Sequence, residues 1–395
     1  MMQRALIILL LLCTACVSEL APVPELQYDL EHLESTTTPL TEQQRAALDG
    51  VYVVEQGKGA FGDTVVGRWI NDRFCLYAIH DVVFAELAGG ARQDSIILGG
   101  YYRIVRSGRG ATFGFGMKGD DQTLDGTTSD GERLSFRRVR DAYQSPPPIH
   151  VLAHRGGGRN SERLGVSENS MAMVRYASIL GATGVEIDVK QTRDGEIIVF
   201  HDDTFSPRTV VGAYLLGRVD AFRLTDIKRY GQLIHGESIP TLDEMLAMIV
   251  DSTQLSFVWI DVKDAHSVDR IIKAQQQASE YARALGRTLE IIIGIPTSDV
   301  FTAFLRSPQA NNIPFLYELD AETALAYPNC RVWAPRWTNG IPSSQIDALH
   351  AQGKLVFTWT LDVRDYIADF LYGSKIDGIL TNYPSLVNAM HSVQY

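Results

Sequence analysis

Cysteine is scarce in this chain: it holds 4 in 395 residues, and two of them, Cys13 and Cys16, lie near the start. The other two, Cys75 and Cys330, are too few and too far apart for a disulfide framework and read as buried thiols. Positive charge is also in short supply. The 36 Lys and Arg against 47 Asp and Glu leave a net charge of −11, which argues against a general nucleic-acid binder, since that needs a basic face for phosphates. A small anionic substrate stays open, because a few clustered cations or a metal invert the local field. No apolar run beyond the N-terminus is long enough to cross a membrane. No glycine-rich loop of the dinucleotide-binding kind follows a strand candidate. What is present is ordinary globular composition, 45 % hydrophobic and 21 % charged, in a chain long enough for two or three domains.

The first residues, "MMQRALIILLLLCTACVSEL", place Arg4 before a short apolar stretch, as a secretory signal does. "LCTAC" resembles the end of a bacterial lipoprotein signal. That resemblance implies cleavage after residue 15, lipidation of Cys16 and a membrane anchor in the cell envelope. Without aspartate at Val17, it points to the outer membrane if the cell has two. Ordinary secretion is the alternative. Residues 16–48 are acidic and rich in Pro, Thr and Glu, which suits an exposed tether.

From 49 to 144, short β-branched and aromatic segments ("GVYVVEQ", "DRFCLYAI", "SIILGGYYRIV", "ATFGFGM", "RLSFRRVR") alternate with Gly- and Asp-rich turns. That spacing predicts a small antiparallel β domain, a sandwich or a barrel. It carries no catalytic constellation, and its partner is unknown. Asp120, Asp121 and Asp125 lack a full calcium-ligand series and read as a solvated turn. "SPPPIH" (145–150) reads as a stiff linker.

From 149 to 395, strand-like and helix-like runs alternate over about 245 residues, which suits one (β/α)8 TIM barrel. Nine strand candidates compete for eight places, so one, placed within 313–337, is expected to fall outside the barrel. A doubly wound open sheet is the alternative. In a barrel the chemistry lies where the strands end. "VLAHRGGG" ends on His154 and Arg155. "GVEIDVK" sets Glu186 and Asp188 on one face of a strand, two apart, and "WIDVKD" repeats the device with Asp261 and Lys263. Each carboxylate alone reads as a surface charge or a salt bridge. Four ionisable groups inside apolar runs favour a site, since an unpaired charge there is costly. Three converging carboxylates repel unless a divalent cation binds them, and oxygen ligands suit Mg²⁺ or Ca²⁺. "IIVFHDD" ends on His201 and Asp202. Two imidazoles can act as acid and base near neutral pH, beside cations that a phosphate requires.

"HRGG", "SEN", "EIDVKQTRDG", "VFHDD", "IPTLDEML", "FTWTLD" and "DGILTNYP" occur in the order and approximate spacing of the glycerophosphodiester phosphodiesterase family, which the chain resembles over residues ~149–390. The resemblance implies a (β/α)8 barrel, one divalent cation and hydrolysis of glycerophosphodiesters to glycerol 3-phosphate and an alcohol. It implies a catalytic pair in His154 and His201 and metal ligands in Glu186, Asp188 and Asp261, the last where glutamate is usual. It implies phosphate contacts from Arg155 and Lys263, an aromatic near the substrate in Trp359, and a place for Glu168 in the "SEN" segment, where Ser167 replaces proline. "Asp-x-Lys" at 261–263 also looks like the related phospholipase D toxins, which cleave lysophospholipid or sphingomyelin head groups, often through a cyclic phosphate. A non-catalytic binding barrel is the remaining alternative.

Overall fold

In a computed structural model of the chain, which describes residues 23–118, 122–142, 149–212 and 214–393, two closed barrels follow one another. The first is a meander of β1 (Gly50–Gln56), β2 (Thr64–Ile70), β3 (Arg73–Ala78), β4 (Val83–Arg92), β5 (Ser95–Ile104), β6 (Arg109–Lys118), β7 (Thr123–Thr128) and β8 (Arg133–Arg140). Every neighbour is antiparallel, and β8 pairs back onto β1 through two irregularities in register. Closure removes the free edges of the sheet. The inward side chains, among them Tyr52, Phe61, Phe74, Phe113, Phe115 and Phe136, are buried, and Phe61, Phe113, Phe115 and Phe136 pack ring against ring. In the expected acidic turn, Asp125 lies on β7 and accepts a hydrogen bond from Ser135 at 2.7 Å, while Asp120 and Asp121 lie outside the described residues.

The tether expected over 16–48 is corrected for its described part, 23–48. Helices Leu30–Ser35 and Glu42–Leu48 form there, the second with a Thr41/Gln44 capping box, and Leu33, Leu40 and Leu48 are buried. Thr38 bridges Ala91 on β4. Tyr28 packs over two glycines: a Cβ on Gly99 would sit 2.3 Å from its ring, and one on Gly114 3.1 Å from its hydroxyl. Leu26 meets the surface at Gly110, and Leu40 and Leu48 join the barrel core, which the polar composition conceals. The leader at 1–15 and Cys16 lie outside the described residues. Among the described residues, no helix is long and apolar enough to cross a membrane.

The second barrel is parallel, built from β9 (His150–Ala153), β10 (Gly184–Gln191), β12 (Phe257–Val262), β13 (Glu290–Ile295), β14 (Phe315–Tyr317), β15 (Cys330–Trp333), β16 (Leu355–Thr358) and β17 (Gly378–Thr381), with β17 and β10 both pairing β9. The strand left over is β11 (Ile197–Val199), not one within 313–337. It returns antiparallel on β10, because the turn at Arg193–Gly195, with Gly195 at φ +85°, is too short for a crossover helix. Leu152, Phe257, Trp259, Ile292, Leu316, Phe357 and Leu380 fill the barrel interior, and a second apolar layer packs the strands against their helices.

The two barrels share a third cluster, in which Val51, Val66, Tyr77 and Phe84 meet Val151, Met173, Leu386 and Met390. Tyr77 donates to the carbonyl of Ile179 at 2.7 Å, and Tyr101 and Tyr176 share a 2.6 Å hydrogen bond. Cys75 and Cys330 are buried free thiols.

Candidate active site

The site grows from the register of two neighbouring strands. β10 and β12 pair Glu186 with Trp259 and Asp188 with Asp261, so the residues of both "x-Asp" strands rise side by side toward the C-terminal mouth. Trp259 fits below them because Gly294 on β13 has no side chain: a Cβ there would lie 2.1 Å from the indole nitrogen. One oxygen from each of Glu186, Asp188 and Asp261 lies within 4.8 Å of the others. The shorter Asp261 side chain therefore still reaches the cluster.

"AHRGGG" turns sharply at the end of β9. Arg155 (φ +53°) and Gly156 (φ +84°) are left-handed, and a Cβ on Gly156 would strike Val174 at 2.7 Å. This turn aims the backbone N–H of Arg155 at Glu186 (2.8 Å) and its guanidinium at Glu168 (2.8 Å), with Nε 3.8 Å from Asp188. Lys263 stands among the carboxylates, 2.9 Å from Asp188 and hydrogen-bonded to Asp261. Burial, then the charges of Asp188 and Asp261, pushes the Glu186 carboxyl well above its usual range. Burial acts in the same direction on Asp188, but Lys263, His201 and Arg155 outweigh it and hold that carboxyl low. Burial would lower the Lys263 ammonium, yet Asp261, Asp188 and Glu186 together raise it.

His154 shares a 2.8 Å hydrogen bond between Nδ1 and the Asn382 amide oxygen, and its Nε2 lies 3.9 Å from Glu186. The Asn382 amide is oriented because its Nδ2 donates to the acceptor-only carboxylate of Asp362 at 2.6 Å. Nδ1 of His154 therefore carries the proton, and Nε2 keeps its lone pair. Burial and the Arg155 charge lower the His154 pKa to about 4. His201 emerges after β11 with Nδ1 2.7 Å from Asp202. Arg208 donates to both oxygens of Asp202 (2.7 and 3.0 Å) and to Glu168 (3.0 and 3.2 Å).

His154, Arg155, Glu186, His201, Asp261, Lys263 and Trp359 line one cavity of about 430 Å³ at the barrel mouth. Asp188 is buried beneath it, and Glu168 is buried against Arg155 and Arg208. Trp359 donates from Nε1 to the carbonyl of Ala334, with the Arg336 guanidinium 4.8 Å above its ring. Sequence reasoning missed Asn382, Asp362, Asn169, Arg208 and Glu318. Asn169, at φ +59°, donates to Asp188 at 2.7 Å. Glu318 adds a buried, unpartnered Oε1 to the cavity lining, and burial, with Asp261 next, pushes its carboxyl well up. Asn169, Asp362 and Asn382 stand inside the quoted segments "SEN", "FTWTLD" and "DGILTNYP". Arg208 and Glu318 carry no signal of their own.

The donor set suits a hard divalent cation. Its three ligands are all carboxylates, and Glu186 Oε1 and Asp261 Oδ1 are buried without a hydrogen-bond partner among the described residues.

Residues 154–386 match the glycerophosphoryl diester phosphodiesterase family. The chain belongs to that family. By this membership it is a phosphoric diester hydrolase. It is similar to the glycerophosphodiester phosphodiesterase of Caldanaerobacter subterraneus subsp. tengcongensis, with 30% identity over 254 residues, 60% of this chain and 96% of the relative. The glycerophosphodiester phosphodiesterase of Bacillus altitudinis is 23% identical over 251 residues, 59% of this chain and 94% of that protein. Among solved structures, an Oleispira antarctica phosphodiesterase in complex with the product sn-glycerol-3-phosphate matches 60% of this chain and 94% of its own, at 23% identity and a TM-score of 0.46. The first barrel lies outside the family match.

Proposed function

We propose that the chain is a metal-dependent glycerophosphodiester phosphodiesterase working by histidine acid–base catalysis. The observation that carries the reading is one cavity lined by His154, His201, Arg155, Lys263, Glu186 and Asp261, with Asp188 clustered against the two carboxylates. Glu186, Asp188 and Asp261 would hold one divalent cation, Mg²⁺ or Ca²⁺, which when bound supplies Lewis-acid stabilisation of charge on phosphate oxygens. Arg155 and Lys263 add positive potential where that charge grows. His154, neutral with a free Nε2, takes a proton from the attacking water, whose oxygen bonds to phosphorus. His201 then protonates the leaving alkoxide as the P–O bond breaks, releasing glycerol 3-phosphate and an alcohol. Asp202 holds the His201 ring by Nδ1, leaving Nε2 for that transfer. Glu168 and Arg208 fix Arg155 and Asp202 respectively.

The test is incubation of the protein from Val17 onward with glycerophosphocholine and with lysophosphatidylcholine, each with Mg²⁺, with Ca²⁺ and with chelator, read by phosphorus NMR. The reading expects glycerol 3-phosphate from the first substrate, lost with chelator and restored by one of the metals. Lysophosphatidic acid or a cyclic phosphate from the second substrate alone moves the enzyme to the phospholipase D branch. No product from either, in a folded protein, leaves a binding barrel. Lipidation of Cys16 and envelope anchoring belong to the same proposal. Cys16→Ser is expected to shift the protein from the membrane fraction to the soluble one, and an unchanged distribution removes the anchor.

A further inference from the structure

The first barrel has no assigned role, yet one of its turns reaches toward His154. Between β5 and β6, Arg106 turns through a left-handed conformation (φ +67°) and donates its backbone N–H to the carbonyl of Glu162 at 2.8 Å. Its Nε lies 3.3 Å from the Glu162 carboxylate, and its guanidinium covers the Tyr383 ring at 5.1 Å. Glu162 belongs to the loop that leaves β9, and none of its surface is exposed. A buried carboxylate is tolerated only when its lone pairs are filled. Arg106, Arg159 (2.9 and 3.2 Å), Ser161 (3.1 Å) and Tyr383 (2.7 Å) fill them.

The contacts continue inward. Arg159 also stands 3.9 Å from Asp362. Asp362 accepts from the backbone N–H of Asn382 at 2.8 Å and from its side-chain amide at 2.6 Å. That amide presents its oxygen to Nδ1 of His154 at 2.8 Å. The Asp362–Asn382–His154 links have one arrangement: the Asp362 carboxylate only accepts, so the Asn382 oxygen must face the imidazole.

We infer that the first barrel is a working part of the active site, with Arg106 as a positioning residue that holds His154 in its reactive orientation through Glu162, Arg159, Asp362 and Asn382. This rests on the role proposed for His154. The barrel braces the β9 loop from outside. Without the Arg106 charge, Glu162 draws Arg159 wholly to itself, Asp362 loses a counter-charge, and the amide that orients His154 loosens. A shift well under 1 Å at the imidazole is enough to slow the chemistry, since a full 1 Å costs about 10²-fold.

The experiment compares full-length protein with Arg106→Gln, Arg106→Lys, Asp362→Asn, the Arg106→Gln/Asp362→Asn pair and His154→Ala, using glycerophosphocholine hydrolysis. Arg137→Gln, which breaks an exposed ion pair with Glu55 on β8 and β1, is the control. Arg106→Gln is expected to lower kcat about 3- to 30-fold with KM within about twofold. It should also move the Nδ1-bound proton resonance of His154. Arg106→Lys should recover at least half of the loss, and Arg137→Gln should change neither readout. Because the residues act in one chain, the double variant should be no slower than Asp362→Asn alone. Multiplicative effects, or an unchanged kcat and resonance in Arg106→Gln while His154→Ala is inactive, overturn the inference. Full activity in His154→Ala overturns the mechanism on which it stands. Should Arg106→Gln fail to fold, Arg106→Lys and the Asp362→Asn resonance decide the matter.

Discussion

The chain closes eight strands into a barrel twice, and the two barrels do different work. In the first, neighbours are antiparallel, so most connections are hairpins of a few residues, as at Asn71–Asp72 and Gln93–Asp94. Such turns leave little chain at the rim, and phenylalanines and other apolar side chains fill the interior. In the second, parallel strands need crossovers, and most strand ends open into longer connections. Those connections carry Arg155, Glu168, His201 and Asp362 to the rim, above strand residues Glu186, Asp188 and Asp261. The same closed geometry makes a plug in one case and a mouth in the other, and strand direction decides which.

Substitutions can break or sharpen this contrast. The largest effect is expected at the mouth, where His154→Ala and His201→Ala should each lower kcat on glycerophosphocholine by about 10²–10⁴ without altering the melting temperature much. Turnover within twofold of wild type in both would remove the acid–base assignment. Next comes the plug: Phe113→Ala should cost about 3–5 kcal/mol of stability by cavity formation, visible as a lower denaturation midpoint. Its folded fraction should keep its turnover, because Phe113 packs on Phe61, Tyr102 and Phe115 inside the first barrel.

A smaller effect distinguishes charge from packing. Arg208 and Arg155, against the opposing effect of burial, hold the Glu168 carboxyl below its ordinary value of 4.5. A depressed carboxylate stabilises the folded state above that ordinary value, and the gain vanishes as pH falls through the folded one. Glu168→Gln should therefore cost about 1–3 kcal/mol at neutral pH, and the gap in melting temperature from wild type should close below pH 4.5. A gap independent of pH would mean that Glu168 acts by packing alone. The smallest effect is expected from Arg137→Gln, whose pair is half-exposed on the first barrel and is worth about 1 kcal/mol or less.

Much of this was legible in the residues. The spacing "E-x-D" and "D-x-K" inside apolar runs, and histidines where such runs end, marked the residues that the fold brings into one mouth. The short strands and glycine turns of 50–140 announced an antiparallel unit. Two things were not legible. The surplus strand is "IIVFHD", because a buried hairpin strand has the same β-branched composition as a barrel strand and only the pairing tells them apart. Residues 23–48 read as a tether because a few leucines and one tyrosine, dispersed among acids and threonines, look exposed until the barrel core and glycine surface that receive them are seen.

The sequence by itself determined the chemistry on offer: which side chains titrate, which strand faces carry them, and how far apart along the chain they stand. Those follow from local rules, the two-residue period of a strand and the cost of a charge in an apolar run. Only the tertiary structure decided how they are joined. The tautomer of His154 is fixed by Asn382, 228 residues away, and the β9 loop is braced by Arg106 from another barrel. Contacts at such separation depend on strand pairing and barrel closure, which no local pattern encodes.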